Sequence, residues 1–380
     1  ALGQSKMKVR PIAAFFHLLI YVGFIIINIE VIEILIDGIF GTHRVLSFLG
    51  NFYAFLIGTF EILAFLVLIA CIVFFFRRNF MSIKRFLSSE MKGWPKSDAN
   101  IILIVEIMLM FAFLSMNACD SILFSLGYSK YAEVSFNIPI SQYLIPIFSD
   151  LSVSSIFIIE RFCWWFHIVG ILAFLNYLVI SKHLHIILAF PNTYFSNLNS
   201  KGGLSNMTSV TNEVKIMLNP NIDPFAVSEE TTAERFGAKD VKDLNWIQLM
   251  NAYSCTECGR CTSECPANQT GKLLSPRKIM MDVRDRLEEV GKGIDKEGKT
   301  FNDNKSLLDY ISNEELWACT SCNACTEACP INIDPLSIII DLRRYLVMEE
   351  SAAPMELNNI FTNIENNGAP WQFPAADRLN

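Results

Sequence analysis

The sequence predicts an all-α protein in two parts: a four-helix transmembrane bundle, then a smaller helical domain built round two cysteine runs. Three observations carry this. Apolar residues make up 52% of the 380, Phe alone numbers 30, and only 18% of the chain is charged. The apolar residues concentrate before about Phe190, in long uncharged stretches of Ile, Leu and Phe. Eight of the eleven cysteines fall in two tight clusters in the second part. Charge divides at the same place. Lys and Arg against Asp and Glu number 13 and 11 before Pro191, but 18 and 27 from there onward. An acidic second part excludes nucleic acid as a partner, because binding phosphates needs a basic face.

A membrane-crossing helix takes ~20 apolar residues. Four stretches qualify, about 12–36, 52–76, 101–126 and 155–188, within a first domain of residues 1–190. The segment Asn137–Ser149 is apolar but broken by Pro139 and Pro146, and reads as a loop or re-entrant piece. The first run is too long for a signal-peptide core and no small-residue cleavage site follows it, so no cleavable signal peptide is expected. Lys6, Lys8 and Arg10 precede the first helix; Arg77, Arg78, Lys84, Arg85, Lys92 and Lys96 separate the second and third; Lys182 follows the fourth. The other two loops offer little beyond Arg44 and Lys130. The positive-inside rule therefore places both termini, and the cysteine runs, in the cytoplasm, a reducing compartment. The scattered Cys71, Cys119 and Cys163 read as small buried hydrophobes.

Histidine is rare, and its placement is informative. His17 lies near the cytoplasmic end of the first helix, and His167 and His185 both fall in the fourth stretch. Eighteen residues are five helical turns, so these two are expected on one face, roughly 27 Å apart along the axis. Histidines at two depths suit axial haem ligands: His17 with His185 in the cytoplasmic leaflet, and His167 with His43 as its candidate partner near the outer surface. His183 points elsewhere on this reading and, like His43, is open to a plain capping role. Glu30, Glu33, Glu61, Glu106 and Asp120 are acids within the apolar stretches. Either they serve a proton-coupled reaction or they sit at helix ends in the headgroup zone.

Residues 191–223, rich in Asn, Ser, Thr and Gly, read as a linker, 224–353 as a helical domain, and 354–380 as an irregular docking tail with Trp371 and Phe373. Ser275–Pro276 is an N-cap and first-turn pair for a helix to about Glu289. Ser312 and Glu315 form a capping box leading into the second cysteine run, and Asp334–Pro335 starts a last helix through Glu349. The runs are Cys255, Cys258, Cys261, Cys265–Pro266 and Cys319, Cys322, Cys325, Cys329–Pro330, with corresponding cysteines 64 residues apart. Three thiolates two residues apart wrap three corners of a [4Fe–4S] cubane, and in two-cluster ferredoxins the fourth ligates the other cluster. This predicts Cys255, Cys258, Cys261 and Cys329 on one cluster and Cys319, Cys322, Cys325 and Cys265 on the other. Zinc, which prefers separated pairs of ligands, and disulfides are the competing readings.

At these residues the chain resembles a family. CTECGRCTSECPANQTGKLLSPR, LWACTSCNACTEACPINIDPL, RRYLVMEE and ENNGAPW resemble the dicluster ferredoxin domain of heterodisulfide-reductase-related iron–sulfur proteins. HLLIYVGF at His17 and WWFHIVGILAFLNYLVISKHLHI resemble the haem-binding gamma subunit of respiratory nitrate reductase, in the form fused to such proteins. The resemblance implies a quinone-linked respiratory electron-transfer protein of the bacterial inner membrane, with b-type haem. Some relatives act as electron-transfer-flavoprotein:menaquinone oxidoreductases, others in thiol–disulfide reduction. Two departures qualify this. The family's first helix supplies two histidines about ten residues apart, whereas Ile27 or a neighbour holds the second place here, so one haem b is expected before a second. The cysteine-rich CCG domains of many relatives have no counterpart in this sequence, which implies a separate subunit or a truncation.

The expected function is electron transfer between a cytoplasmic partner (a CCG-domain subunit or an electron-transfer flavoprotein) and menaquinone or another quinone. The alternatives are the membrane subunit of a disulfide reductase, and a non-catalytic redox sensor or scaffold. No catalytic side chain is required, since the cofactors carry the chemistry.

Overall fold

The computed structural model describes residues 5–128, 137–221, 235–373 and 376–377. Every regular element among them is helical. They form two compact units, Ala1–Ile187 and Leu188–Asn380.

In the first unit, α1 (Pro11–Phe40), α2 (Asn51–Asn79), α3 (Trp94–Ser125) and α4 (Val153–Leu178) are each long and apolar enough to cross a membrane. The first three extend the predicted stretches, because a helix continues through the polar residues flanking its apolar core. Gly93 with φ 75 and Pro95 in the first turn set the early start of α3. Neighbours in sequence pack together, α1 on α2, α2 on α3 and α3 on α4. Small residues permit the closest approaches: a Cβ on Gly23 would lie 2.5 Å from Val67 Cγ2, and one on Gly170 2.8 Å from Leu109 Cδ2. Ile57, Phe60, Ala64 and Phe113 fill the interior, while Phe24, Ile32, Phe111, Phe162 and Trp165 face outward. An outward face this apolar suits lipid rather than water.

One end of the bundle is a buried polar lock. Arg44, from the α1–α2 connection, donates to Glu30 Oε1 at 3.0 Å, Asn117 Oδ1 at 2.6 Å and Asp120 Oδ2 at 3.1 Å. Asp37 accepts the Arg44 and Val45 amides, and Glu33 accepts the Leu46 amide and the Tyr53 hydroxyl. Glu61 accepts from Asn117 and from the Ile140 and Ser141 amides, tying the Pro-broken segment to the bundle. There Ser141–Tyr143 and Ile145–Phe148 form single helical turns against α3, so this segment is a folded loop. Glu30, Glu33, Glu61 and Asp120 thus share one network in one half of the bundle, reaching into the helices; Glu106 lies apart, beside Cys71. Lys130 lies outside the described residues.

The other end corrects the fourth stretch. α4 stops at Leu178 instead of running to residue 188, and His185 opens a separate helix, α5 (His185–Tyr194). The cause is Asp98 on α3, buried, which accepts from Tyr177 Oη at 2.6 Å, Ser181 Oγ at 2.7 Å and Lys182 N at 3.1 Å. Ser181 Oγ in turn caps the next turn by accepting from His183 N. His167 and His185 therefore do not share the face of one helix.

In the second unit, α6 (Thr208–Met217) corrects the linker reading: Val210, Val214 and Met217 recur at helical spacing among polar residues. α7 (Trp246–Ser254) opens on an Asn245/Gln248 capping box. α8 (Pro276–Glu297) starts at its Ser275 cap, with Lys278 N donating to Ser275 Oγ. It passes Glu289 because Val290 continues the buried face, and Gly298 with φ 85 ends it. The Ser312/Glu315 capping box forms as expected. Asp334 Oδ1 accepts from Leu336 N and Ser337 N at the start of α9 (Pro335–Met348). α8 packs on α7 and α9 round Ala252, Ile279, Val283, Leu307, Ile338 and Leu342. The tail holds a further correction. α10 (Met355–Asn367) occupies half of it, with Leu357, Ile360, Phe361 and Ile364 at helical spacing, and left-handed Gly368 as its C-cap. Trp371 and Phe373 beyond it are exposed.

Candidate metal centre

α7 ends at Ser254 and hands the chain to Cys255, so the first motif begins where a helix stops. Cys-Thr-Glu-Cys-Gly-Arg-Cys and Cys-Thr-Ser-Cys-Asn-Ala-Cys then trace one backbone twice. The third and fifth residues are left-handed in both: Glu257 (φ 56) and Gly259 (φ 70), then Ser321 (φ 55) and Asn323 (φ 59). Three of the four are not glycine, and each such residue costs roughly 1–2 kcal/mol. Turns of this kind gather successive N–H groups into a concavity that suits an anionic group. A short turn follows each loop, Arg260–Ser263 with Cys261 and Ala324–Ala328 with Cys325, and the two turns pack on one another.

That packing exchanges the fourth cysteines. Cys265 lines one cavity with Cys319, Cys322 and Cys325, walled by Leu274 and Ile339. Cys329 comes within electrostatic reach of Cys255 and Cys261, which also feel Cys258. Burial pushes the Cys255 and Cys325 thiols up to about 12, and the Cys261 thiol well above its ordinary value. Thiols so placed keep their protons unless a cation compensates the thiolates, as bound iron does. Soft sulfur donors, apolar walls and inward N–H groups together fit an iron–sulfur cluster in each motif. The cysteines differ in access: Cys322 of the second motif is exposed, whereas Cys255 of the first is buried.

Two charged groups beside the motifs have no sequence signature. Glu257, inside the first Cys-x-x-Cys, is buried and accepts from Arg284 Nη1 of α8 at 2.9 Å. Arg343 of α9 donates to Leu316 O at 2.5 Å and Cys319 O at 2.6 Å, and lies 4.8 Å from the Trp317 ring centre. Nonlocal pairs of this kind follow no fixed spacing.

The histidines sort into three places. His183 and His185 lie with ring centres 5.6 Å apart, and His17 is close enough to influence both electrostatically. His183, expected to point elsewhere, joins this group because the turn at Lys182–Leu184 replaces a continuing helix. His185 Nδ1 meets Lys182 O at 3.1 Å, and His167 Nδ1 meets Leu109 O at 3.2 Å. A ring anchored through Nδ1 to a carbonyl presents Nε2, the orientation common among metal-bound histidines. His167 is buried against Phe113. His43 is engaged elsewhere, in the polar lock, with Nε2 3.7 Å from Asp120. It feels Glu160, seven residues before His167 and so about 10 Å further along α4. The structure does not bring His43 to His167.

Residues 254–333 match the 4Fe-4S dicluster domain. The second unit carries an iron–sulfur domain. Its relatives are iron–sulfur oxidoreductases, in keeping with the heterodisulfide-reductase-related resemblance. The chain is 30% identical to the probable iron-sulfur-binding oxidoreductase FadF of Bacillus subtilis, over all of this chain and 53% of that protein. It is 27% identical to the EtfAB:quinone oxidoreductase of Syntrophomonas wolfei, over 99% of this chain and 52% of that one. A protein of Archaeoglobus profundus that is itself similar to a heterodisulfide reductase component is 26% identical, over 37% of this chain and 63% of its own. The chain thus spans about half the length of the first two relatives. No solved structure matches it. With four helices able to cross a membrane and an iron–sulfur domain, the chain is a membrane electron-transfer protein.

Proposed function

We propose that this protein relays electrons between a cytoplasmic redox partner and membrane quinone, through two [4Fe–4S] clusters and haem b. The observation that carries the reading is the exchange of fourth cysteines between two motifs of matching backbone. In this reading Cys255, Cys258, Cys261 and Cys329 hold one cluster, and Cys319, Cys322, Cys325 and Cys265 the other. His17 and His185 hold the haem, with His183 beside them. When bound, these groups supply one-electron carriers. The chain's own part is to hold them, to exclude water with the apolar walls, and to set the charge around each. The quinone assignment rests on the similarity to EtfAB:quinone oxidoreductase, and it makes an electron-transfer flavoprotein or a CCG-domain subunit the fitting partner. The loop charges support cytoplasmic termini in a bacterial inner membrane.

The test is a reduced-minus-oxidised visible spectrum of the purified protein, together with its iron and acid-labile sulfide. A b-type α-band and about eight non-haem irons per chain are expected. Absence of the band removes the haem, and iron near four removes one cluster. A second reading, the membrane subunit of a disulfide reductase, draws on the heterodisulfide reductase relatives. Reduction of a quinone analogue by the chemically reduced protein, with no partner added, favours the first reading over the second.

A further inference from the structure

The duplication that made the two cysteine motifs extends into the helices behind them, and there the two copies part in charge. Each motif is followed by a helix opening on proline, Pro276 for α8 and Pro335 for α9. Eight residues into each comes an arginine, Arg284 and Arg343. Each stands beside the first cysteine of its own motif, Arg284 by Cys255 and Arg343 by Cys319. In the first copy the charge is answered. Glu257, at the left-handed position between Cys255 and Cys258, is 2.9 Å from Arg284 Nη1, and Asp285 lies 3.1 Å from Arg284 Nη2. The equivalent left-handed position of the second copy is Ser321, which has no charge to offer; the carboxylate on that side, Asp334, acts on Cys325 and accepts from the Leu336 and Ser337 amides at the start of α9. Arg343 donates instead to the carbonyls of Leu316 and Cys319 and lies over Trp317. Among the described residues no carboxylate forms an ion pair with it. The two other arginines buried at the first motif and the start of α8, Arg260 and Arg277, are already engaged.

We propose that Arg343, a cation left without its carboxylate, gives the cluster on Cys319, Cys322, Cys325 and Cys265 the higher reduction potential of the two. A reduced cluster carries one more negative charge than an oxidised one. A fixed cation beside a ligand therefore favours the reduced form, and a carboxylate in the ligand loop opposes it. Electrons entering the domain collect on the cluster whose ligand Cys322 is exposed. The first copy, with Glu257 and Asp285 around Arg284, stays the harder to reduce.

The inference rests on the two-cluster reading, and the experiment separates the two. The full-length purified protein and its variants S321E, R343Q and E257Q are titrated with a reductant while the clusters are followed by electron paramagnetic resonance. Iron and sulfide are assayed on each sample. S321E places at φ 55 the residue its counterpart already carries at φ 56, so the loop tolerates it. S321E and R343Q should each lower the potential of one and the same cluster. At the ambient potential where that cluster is half reduced in the unaltered protein, its reduced-to-oxidised ratio should fall by about tenfold. The other cluster should move much less, and E257Q should shift that other cluster upward. If S321E and R343Q keep full iron and sulfide and move neither potential, or move both equally, the assignment to Arg343 is wrong and the two clusters stand. If the unaltered protein lacks the second cluster's iron, the two-cluster reading falls and the inference with it. Should R343Q lose iron, S321E decides alone, since it keeps the arginine.

Discussion

At the scale of single residues, the most heavily used side chain of the first unit is Arg44. One guanidinium serves Glu30, Asn117 and Asp120, and its own amide is held by Asp37. Removing one partner of a buried charge network leaves the others uncompensated, at a cost of roughly 3–5 kcal/mol. R44M should therefore lower the detergent-solubilised thermal midpoint sharply, and R44K should recover only part, because an ammonium cannot reach three acceptors in fixed directions. Arg286 is the comparable residue of the second unit, bound to Asp240 at 2.8 Å and Asp303 at 2.5 Å. Its hydrogen bonds hold Asp303 well below the ordinary value of 3.8. A carboxyl whose folded value is depressed contributes stability that is complete above its unfolded value and is lost as pH falls from there toward the folded value. Denaturant titrations of the full chain should show this loss beginning below about pH 4, and R286M should remove that limb. Neither arginine was legible in the sequence. Their partners lie up to 76 residues away, and a buried cation, in a loop as Arg44 is or on a helix as Arg286 is, looks in sequence like any surface charge.

At the scale of elements, helices were legible where one signal dominates and obscured where a distant residue intervenes. The apolar cores of α1 to α3 and the caps Ser275, Ser312 and Asp334 were readable because hydropathy and capping are local. The end of α4 was not, since Asp98, about 80 residues upstream, pulls Tyr177 and Ser181 away from a continuing helix. On the proposed haem site, D98A should let the turn at Lys182–Leu184 relax and uncouple His183 and His185, read as a changed haem absorption or loss of haem. α10 was hidden by composition: five asparagines masked four apolar residues at helical spacing. The cysteine motifs were the most legible element, because the chemistry fixes their spacing. C265A should abolish the signal of the cluster on Cys319, Cys322 and Cys325 while sparing much of the other. Loss confined to the first motif's cluster would instead mean uncrossed ligation.

At the scale of the whole molecule, composition divides the chain into an apolar part and an acidic one at about Phe190, and the structure describes two compact units, Ala1–Ile187 and Leu188–Asn380. Topology is the property to test here. In inside-out vesicles, a cysteine placed at exposed Ser89 in the α2–α3 connection should react with an impermeant maleimide. One placed at exposed Phe48 in the α1–α2 connection should be protected. The opposite pattern inverts the protein and moves the iron–sulfur domain to the far side.

On the proposed ligation, the sharing of Cys329 with the first motif also sets a timetable. While the ribosome is still short of residue 319, the first motif has three sulfurs and no fourth, and Cys265 has no companions. By the time the last ligand is translated, all four apolar helices have long since emerged. Metallation therefore comes after commitment to the bilayer, and a translation product interrupted before residue 325 is left without a full set of ligands for either cluster. Synthesis through both motifs becomes the condition for four sulfurs at either cluster.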